Sequence, residues 1–499
     1  MYNEPPQHSH NQHDHNQHDY RKVKLLHSRY NPQAEAERYI SSLSLGENIR
    51  FFILIEPGLG YITASIRKKF PNSKIIALHI EKPSGEETVK APDSLWYPEA
   101  ETPVQDFLET EIPDTKAGEI RLLEWRPALS VYGDSYLALV QETAEFLKRS
   151  DANARTFTAF GRVWVRNFFK NLRIIKNIIC PPPISVPMLV IGSGPGLDAA
   201  IPLIREKQNG LFILASSSSL SALENGNIIP NLAITSDGTA WARFHLYELF
   251  RIKQEKQLPL AAVLSAVLPS QCENIPVMPI SDGSQWQTLI LSELKIPYIA
   301  MPQRGTVTAS ALDLAFALSD GEIFIAGINL ANRDIRSHAK PYSLDCLMEE
   351  NAERINPMYS QVYKRSAMLK EGGSYNIYAS WFKKQLSSYP RRLFSIGDNN
   401  QVFSSPETAA ENAIDNIRIA HNGKKTIANY KTFTLDCDYS RKAYKVLEGA
   451  LKKSSCSGPL QKELRALLFQ GEPSASSKAQ GTDELIDSLA ALCGIENGE

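Results

Sequence analysis

A glycine-rich turn between an apolar run and a helical pattern constrains the fold of this chain more than any other feature. Every side chain of Met188–Ile191 is apolar, as a strand buried on both faces requires, and Gly192-Ser193-Gly194-Pro195-Gly196 follows directly. A helical pattern begins at Leu197. This order of strand, turn and helix indicates a parallel α/β unit with the turn at the carboxyl end of its strand.

Strand and helix patterns continue to alternate after this turn. Short apolar runs predict strands at 211–215, 232–235, 260–264, 298–301 and 323–326, and a helix is predicted at 309–318. Alternation of this kind favours a mainly parallel sheet with helices on both faces. The sequence therefore predicts an α/β fold whose central domain is Rossmann-like.

A second, shorter α/β pattern precedes it. An apolar strand is predicted at 51–55, followed by the turn Glu56-Pro57-Gly58-Leu59-Gly60 and a helix through Lys69. A strand at 74–80 then ends at Glu81, which is the order of a nucleotide-binding half. Gly58 and Gly60 lack the third glycine of the full motif, so ligand binding and a purely structural turn both remain open.

The length of 499 residues exceeds what one hydrophobic core usually serves, so several domains are expected. Pro181-Pro182-Pro183 ends a helical pattern that starts near Val131, because proline cannot continue a helix. The predicted segments are a disordered, His-rich tail (1–30), a smaller N-terminal Rossmann-like domain (31–130), a helical connector (131–185), the central Rossmann-like domain (186–404) and a C-terminal helical module (405–499).

Charge and composition exclude several classes of function. Lys and Arg number 54 against 55 Asp and Glu, so the net charge of -1 gives no field for polyanions and nucleic acid is not an expected partner. The six cysteines form no CxxC pair, which removes the usual zinc and redox motifs. No apolar run is long enough to cross a membrane, and the N-terminus does not resemble a secretory signal. A cytoplasmic location is expected.

The central glycine turn is the predicted anion site. Glycine lets the backbone approach a ligand closely, and the amides at the start of the next helix attract a phosphate. Gly192, Ser193, Gly194, Pro195 and Gly196 are therefore predicted to bind the phosphate of a nucleotide. The Gly-Lys-Ser/Thr ending of a P-loop is missing, which argues against ATP hydrolysis of that type.

Polar residues also follow the next two strands. Ser216 and Ser217 open a run of four serines, whose hydroxyls suit a ribose or phosphate but also suit a helix cap. Asp237 ends the third strand, where its carboxylate can bind a sugar hydroxyl or a metal, act as a base, or form an Asx turn. Because parallel strands end at one edge of a sheet, these residues are predicted to converge on one site.

The remaining candidates follow later strands. Thr306 and Thr308 lie in a small, hydroxyl-rich turn beside Arg304, a cation that would offset phosphate charge. Asn329 follows a further strand and is predicted to hold a nucleobase or sugar through its amide. His338 lies in a polar loop beyond it, and this position suits a general base.

Four of these motifs, in this order, resemble the motility-associated glycosyltransferase family of flagellated bacteria. The family is related to archaeal hydroxymethylpterin diphosphokinases and more distantly to bacterial sialyltransferases. The resemblance covers residues 186–400, and its motifs are Gly192-Ser193-Gly194-Pro195, Ile234-Thr235-Ser236-Asp237, Gly305-Thr306-Val307-Thr308-Ala309-Ser310-Ala311-Leu312-Asp313, and Ala326-Gly327-Ile328-Asn329-Leu330 with His338. Tyr378-Ala379-Ser380-Trp381-Phe382 and Ser395-Ile396-Gly397-Asp398-Asn399 are similar to the spirochaete branch.

The resemblance implies transfer of a nonulosonic acid, of pseudaminic or legionaminic type, from its CMP conjugate to Ser or Thr of flagellin. It implies that the turn amides and Ser193 hold the CMP phosphate, that Asn329 and Asp237 hold nucleotide or sugar, and that His338 takes the acceptor proton. No metal or other cofactor is expected to be required. The chain departs from the family pattern at Gly196, where serine is usual, and at Gly238, where proline is common.

Two alternatives remain at this stage. A pyrophosphokinase acting on a pterin would need Mg²⁺ on carboxylates such as Asp237. A non-catalytic flagellin-binding or assembly protein would retain the fold without the chemistry, because a fold alone does not establish a function.

Overall fold

The architecture is that of a computed structural model. It describes residues 26–46, 48–83, 90–99, 102–112, 118–251, 257–332, 335–371, 374–389, 392–397, 413–415, 417, 430–435, 438–453, 458–469 and 482–495. Most of the predicted His-rich tail, residues 1–25, lies outside the described residues. The chain forms two compact units, an N-terminal unit that ends at Phe157 and a C-terminal unit that begins at Thr158.

The N-terminal unit contains a four-stranded parallel sheet in the order β3-β2-β1-β4. Its strands are β1 (Phe51–Ile55), β2 (Lys74–Leu78), β3 (Ser94–Trp96) and β4 (Ile120–Glu124). Its helices are α1 (Pro32–Ser42), α2 (Tyr61–Lys69), α3 (Val104–Glu111), α4 (Arg126–Tyr132) and the first part of α5 (Asp134–Ile174). Phe52, Ile53, Leu54 and Ile55 are all buried, as a strand covered on both faces requires.

Helix α5 contains the boundary between the units and ends earlier than its pattern predicts. The prediction of helix up to 179 was wrong at its last residues, because Asn177–Cys180 forms a strand, β5. Ile178 and Ile179 are buried in the larger sheet, and β-branched side chains favour strand over helix. The strands on both sides of the proline run belong to this sheet, so the run lies inside the C-terminal unit.

Within the described residues, the sheet of the C-terminal unit has ten strands in the order β13-β12-β6-β7-β8-β9-β10-β5-β14, with β11 beside β10. All pairs are parallel except β14 with β5. The further strands are β6 (Met188–Ile191), β7 (Phe212–Ser216), β8 (Leu232–Thr235), β9 (Leu260–Val263), β10 (Pro276–Ser281), β11 (Ile299–Ala300), β12 (Ile323–Ala326), β13 (Leu393–Ser395) and β14 (Lys431–Thr434). The predicted mainly parallel α/β fold is confirmed.

The helices of this unit cover the sheet, and three more that the structure describes follow its last strand towards the C-terminus. They are α6 (Leu197–Lys207), α7 (Leu220–Asn225), α8 (Arg243–Leu246), α9 (Glu248–Arg251), α10 (Gln285–Glu293), α11 (Val307–Leu318), α12 (Asp345–Glu350), α13 (Met358–Glu371), α14 (Ser374–Ser388), α15 (Tyr439–Lys453), α16 (Pro459–Leu468) and α17 (Thr482–Cys493). The last three pack on one another through Leu447, Leu464 and Leu489, which are fully buried. None of the helices in the described part of the chain has the length and apolar character needed to cross a membrane.

Strand order creates a crevice beside β6. From β6 the chain proceeds through β7, β8, β9 and β10 on one side, and it then returns to place β12 on the other side of β6. Open α/β sheets bind ligands where the strand order reverses in this way, because the loops after the two strands diverge to opposite faces. The carboxyl ends of β6 and β12 therefore mark the expected ligand site of this unit.

Candidate functional site

The loops that follow β6 and β12 are hydrogen-bonded to each other. The Gly192 amide donates to the Ala326 carbonyl at 2.9 Å, and the Gly194 amide donates to the Gly327 carbonyl at 2.7 Å. The Gly196 amide donates to Asn329 Oδ1 at 2.8 Å. Two distant motifs thus form one structure at the carboxyl edge of the sheet, because Gly196 and Asn329 are 133 positions apart in the sequence.

The glycines make this contact possible. A Cβ on Gly194 would lie 2.6 Å from Asn329 Oδ1 and 2.7 Å from the Gly327 carbonyl oxygen. A Cβ on Gly327, whose φ is +66°, would lie 2.4 Å from the Gly192 carbonyl oxygen. These distances are too short for any side chain, so the glycines are required for loop packing, whatever else they do.

This geometry corrects the predicted anion nest. The amides of Gly192, Gly194, Gly196 and Leu197 all donate within the chain, and Pro195 has no N–H. They are therefore not available to a phosphate. The amides of Asp198 and Ala199, in the first turn of α6, have no acceptor inside the helix, as in every helix start. Of the predicted phosphate contacts, the amides at the start of α6 are therefore the ones that the chain itself does not use.

A chain of hydroxyls joins the ends of β6 and β7. Ser216 Oγ lies 3.3 Å from Ser218 Oγ, which donates to Ser193 Oγ at 2.9 Å. This arrangement leaves the Ser193 hydroxyl with a proton to donate. Ser217, predicted as a donor-binding residue, is almost fully buried, and the bridging residue is Ser218. Ser219 Oγ donates to the Ser216 carbonyl at 2.8 Å, so the capping interpretation holds for this serine.

The segment 335–340, here called the strap, is fastened to the glycine turn and α6. The Ala339 amide donates to the Ser193 carbonyl at 2.8 Å, and the Lys340 amide donates to Asp198 Oδ1 at 3.2 Å. Arg336 Nη1 lies 3.1 Å from Asp198 Oδ2. The strap therefore places His338 next to Ser193, as the predicted site requires, and adds the cation of Arg336, which the sequence analysis missed.

A buried aromatic pair supports His338. Its ring stacks on Tyr342 with 4.1 Å between centroids and 16° between planes, while His338 Nδ1 lies 2.8 Å from Ser337 Oγ. The Tyr342 hydroxyl lies 3.4 Å from His245 Nε2, and His245 Nδ1 bonds Ser343 Oγ. His245 comes from α8, which follows β8, so a third strand end contributes. Tyr342 and His245 carry no motif that predicts this role.

Asp237 forms the Asx turn that its sequence allows. Its Oδ1 accepts the Thr239 amide at 2.8 Å, and its carbonyl accepts the Val267 amide at 3.0 Å. At Gly238 a Cβ would lie 2.7 Å from Cδ1 of the Trp164 indole. The Trp164 indole of α5 thus leaves no room for a side chain at residue 238.

Two asparagines on α5 hold the loops after β8 and β9. Asn167 Nδ2 donates to the Gly238 and Ser265 carbonyls, both at 3.1 Å. One helical turn later, Asn171 Nδ2 donates to the Leu264 and Ala266 carbonyls at 2.9 and 2.8 Å. Both side chains are buried, so these bonds replace water that the loop carbonyls would otherwise need. The pattern of this part of α5 predicts only a helix, and neither asparagine was a candidate site residue.

The threonine turn lies at the same edge through α11, which packs on β6 and β7. Thr306 caps α11, with its side chain accepting the Thr308 amide at 3.1 Å. Arg304 pairs with Asp313 at 2.6 Å and its guanidinium lies 5.1 Å from the Trp381 ring centroid. Burial raises the pKa of Asp313, and Arg304 opposes this shift. The predicted phosphate cation is therefore committed to a carboxylate.

The C-terminal motifs contact this edge as well. The Tyr378 hydroxyl donates to the Gly305 carbonyl at 3.1 Å. A Cβ on Gly397 would lie 3.0 Å from Ala200 Cβ on α6. Asp398 and Asn399 lie outside the described residues. Among the residues that the structure describes, no group of three or more His, Cys, Asp or Glu side chains has an arrangement that could hold a metal ion.

Comparison with known proteins agrees with this part of the chain. Residues 163–334 match the family model described as 6-hydroxymethylpterin diphosphokinase MptE-like. This segment is thus similar to the diphosphokinase family that the motif resemblance gives as a relative. It contains the glycine turn, the serine run, Asp237, the threonine turn and Asn329, whereas His338 lies just beyond its end.

Two individual proteins are also similar. An uncharacterized protein of Treponema pallidum (strain Nichols) is 25% identical over 280 residues, which are 56% of this chain. The chain spans 60% of that relative's length. A solved structure of MAf glycosyltransferase from Magnetospirillum magneticum AMB-1 is similar with a TM-score of 0.48 and 11% identity, over 93% of this chain and 87% of that one.

Proposed function

We propose that this protein is a glycosyltransferase that moves a nonulosonic acid, of pseudaminic or legionaminic type, from a CMP conjugate to Ser or Thr hydroxyls of flagellin in the cytoplasm. The observation that carries the proposal is the hydrogen bond from the Ala339 amide to the Ser193 carbonyl. It fastens a histidine beside the glycine turn, at the point where α/β sheets of this order bind ligands. The motif resemblance supplies the reaction.

The phosphate of CMP suits the start of α6. The Ser193 hydroxyl and the amides of Asp198 and Ala199 lie here as hydrogen-bond donors, while the guanidinium of Arg336 pairs with the Asp198 carboxylate at 3.1 Å. A helix start also attracts negative charge through the aligned peptide dipoles. As the bond to the sugar breaks, these fixed donors would stabilise the charge that develops on the departing phosphate.

His338 is the proposed general base. Its Nδ1 lies 2.8 Å from Ser337 Oγ, and the imidazole would take the proton of the acceptor hydroxyl. The acceptor oxygen then bonds the anomeric carbon, and CMP leaves with the electrons of the broken carbon–oxygen bond. We further propose that Asp237 Oδ2 binds a sugar hydroxyl and that Thr306, Thr308 and Asn329 contact the donor, whereas Ser216 is fully buried. No cofactor besides the donor is proposed.

Intact-mass measurement of flagellin tests the proposal. Incubation with the protein and a CMP-nonulosonate should add the mass of the sugar residue to flagellin. The His338→Ala variant should still bind CMP but transfer about 10²- to 10⁴-fold more slowly, because the acceptor proton has no base. Tyr30→Ala, at a residue that is 98% exposed, serves as the matched control. Equal transfer by His338→Ala and the control would remove the histidine from the mechanism.

A second candidate follows from the matched family model, whose description names a diphosphokinase. In that case, diphosphate transfer to 6-hydroxymethylpterin should require Mg²⁺ and stop with a chelator. If the unsubstituted protein and His338→Ala bind flagellin equally well and neither adds mass to it, the protein would instead be an assembly factor. Transfer of the sugar in the presence of a chelator would favour the glycosyltransferase over both.

A further inference from the structure

The side chain of His27 occupies the crevice of the N-terminal unit. From β1 the chain proceeds to β2 and β3 on one side and then places β4 on the other, so the strand order reverses between β1 and β4. His27 Nε2 accepts the Leu59 amide of the turn after β1 at 3.0 Å. Next to it, Trp125 Nε1, just after β4, donates to the Leu26 carbonyl at 2.7 Å. The segment 26–28 thus crosses the position where sheets of this order bind ligands.

The imidazole takes the place of a ligand atom against the turn. A Cβ on Gly58, whose φ is +65°, would lie 2.3 Å from His27 Nε2, so the turn is open to close approach only because residue 58 is glycine. An imidazole nitrogen that accepts an amide proton does there what a phosphate oxygen would do. Helix α2 begins directly after the turn at Gly60, with no side chain capping it.

The walls of the crevice suit a flat ring. The His27 ring lies 5.1 Å from Tyr61 and 5.7 Å from Trp125, measured between centroids. Either aromatic face can stack a heterocycle of similar shape. Glu81 follows β2, at the position from which an acid binds ribose hydroxyls in nucleotide-binding halves.

Two buried hydroxyls beside the crevice have no partner. Tyr136 is 2% exposed and Thr63 is 1% exposed, and neither hydroxyl makes a hydrogen bond among the described residues. Thr63 lies in the first turn of α2, where the full dinucleotide motif has its third glycine. The hydroxyl of Tyr136 is close enough to Glu56 and Glu124, at the ends of β1 and β4, for their charges to raise its pKa, although burial raises it more. Unpaired buried hydroxyls are costly, so their presence here points to a partner that binds in the crevice.

We propose that the crevice between β1 and β4 is a second ligand site, for a nucleoside phosphate, and that His27 fills it until the nucleotide displaces the imidazole. The phosphate takes the Leu59 amide and the start of α2, and the base lies against Trp125. Because binding requires the imidazole to leave, the measured affinity equals the affinity of the open crevice multiplied by the fraction of molecules in which the crevice is open. This site is independent of the function proposed for the C-terminal unit.

Titration of the full chain with ADP, read by hydrogen–deuterium exchange, tests the proposal. In His27→Ala the crevice is always open, so ADP should bind about tenfold more tightly than in the unsubstituted chain if the crevice is open in about a tenth of molecules. Protection from exchange should appear in residues 58–66. Tyr30→Ala, in the same part of the chain but exposed, should leave the affinity unchanged.

A second variant guards against loss of folding in the first. Trp125→Phe removes the bond to the Leu26 carbonyl but keeps an aromatic wall, so it should also tighten ADP binding. Equal affinity for ADP in the unsubstituted chain and both variants would overturn the proposal. So would protection confined to residues 192–200, since that result places the nucleotide in the C-terminal unit alone.

Discussion

Both units carry a glycine turn after the strand at which the order of a parallel sheet reverses, but the two turns are filled differently. In the C-terminal unit the turn is closed by backbone and by Asn329, through amides of Gly192, Gly194 and Gly196. In the N-terminal unit it is closed by the imidazole of His27. The bonds between the backbones of Gly194 and Gly327 can break only if the loops move apart, whereas the His27 side chain can rotate out of its crevice. The same motif therefore acts as a fixed frame in one unit and as a replaceable contact in the other.

Replacing one glycine in each unit by alanine should separate these two roles, and it carries the largest expected effect. Gly194→Ala forces a Cβ against the Gly327 carbonyl and Asn329, so the two loops must move apart. We expect a loss of about 3 kcal/mol in the free energy of unfolding, at the upper end for overpacking, and loss of nucleotide binding in the C-terminal unit. Gly58→Ala should lower the free energy of unfolding by about 1 kcal/mol, because residue 58 has a positive φ. It should displace only the His27 side chain.

Urea unfolding of both variants measures this difference. Gly449→Ala is the matched control, because Gly449 lies inside α15 with nothing within 4 Å of its Cβ position, and alanine is the better helix former. It should be neutral or slightly stabilising. Equal destabilisation by Gly194→Ala and Gly58→Ala would remove the distinction between a fixed and a replaceable contact.

The second prediction concerns the frame around the larger site. Asn167→Ala leaves the Gly238 and Ser265 carbonyls without their shared donor in a buried position. We expect a loss of about 2 kcal/mol in stability, and a similar loss for Asn171→Ala, from the cost of unpaired buried groups. Lys170→Ala, at an exposed residue between the two asparagines on α5, is a control outside these loops. A loss at residue 167 no larger than at residue 170 would show that the bonds from Asn167 do not support the site.

The smallest effect is a dependence on pH in the N-terminal unit alone. Burial lowers the pKa of His27, so the folded chain binds a proton less readily than the unfolded chain. The stability that His27 adds is fully present above its ordinary pKa of about 6.5 and falls as the pH drops through that value. After correction for the slower intrinsic exchange in acid, the protection of residues 58–66 should therefore fall. His27→Gln keeps an acceptor without this titration, and a pH response as large as that of the unsubstituted chain would contradict the assignment.

The fold was predictable because its strands are apolar on both faces and its turns carry glycine or proline. Met188–Ile191 and Phe51–Ile55 are examples in which the apolar pattern alone indicates a buried strand. The end of α5 was not predictable in the same way. Asn177–Cys180 is short, and only its pairing with β10 and β14 makes it a strand.

The edge of the sheet at which the candidate residues lie was predictable, but their contacts were not. Strand ends bring Ser193, Ser216, Asp237 and Asn329 to one edge, and this follows from topology. Topology does not show which backbone amides remain available to a ligand, because Asn329 accepts the Gly196 amide only once the two loops are in contact. His245 and Tyr342 contact each other across 97 positions, and no local pattern encodes that pair. The contact of His27 was not predictable for the same reason, since its partner Leu59 lies 32 positions away.

Calorimetric titration with CMP tests most directly whether the edge between β6 and β12 holds the phosphate of a nucleotide. The unsubstituted chain and Gly449→Ala should bind CMP with equal affinity and without added metal. Gly194→Asp should lose CMP binding at this edge, because its side chain separates the loops and places a negative charge beside the phosphate. Equal affinity for CMP in Gly194→Asp and the other two proteins would contradict the account.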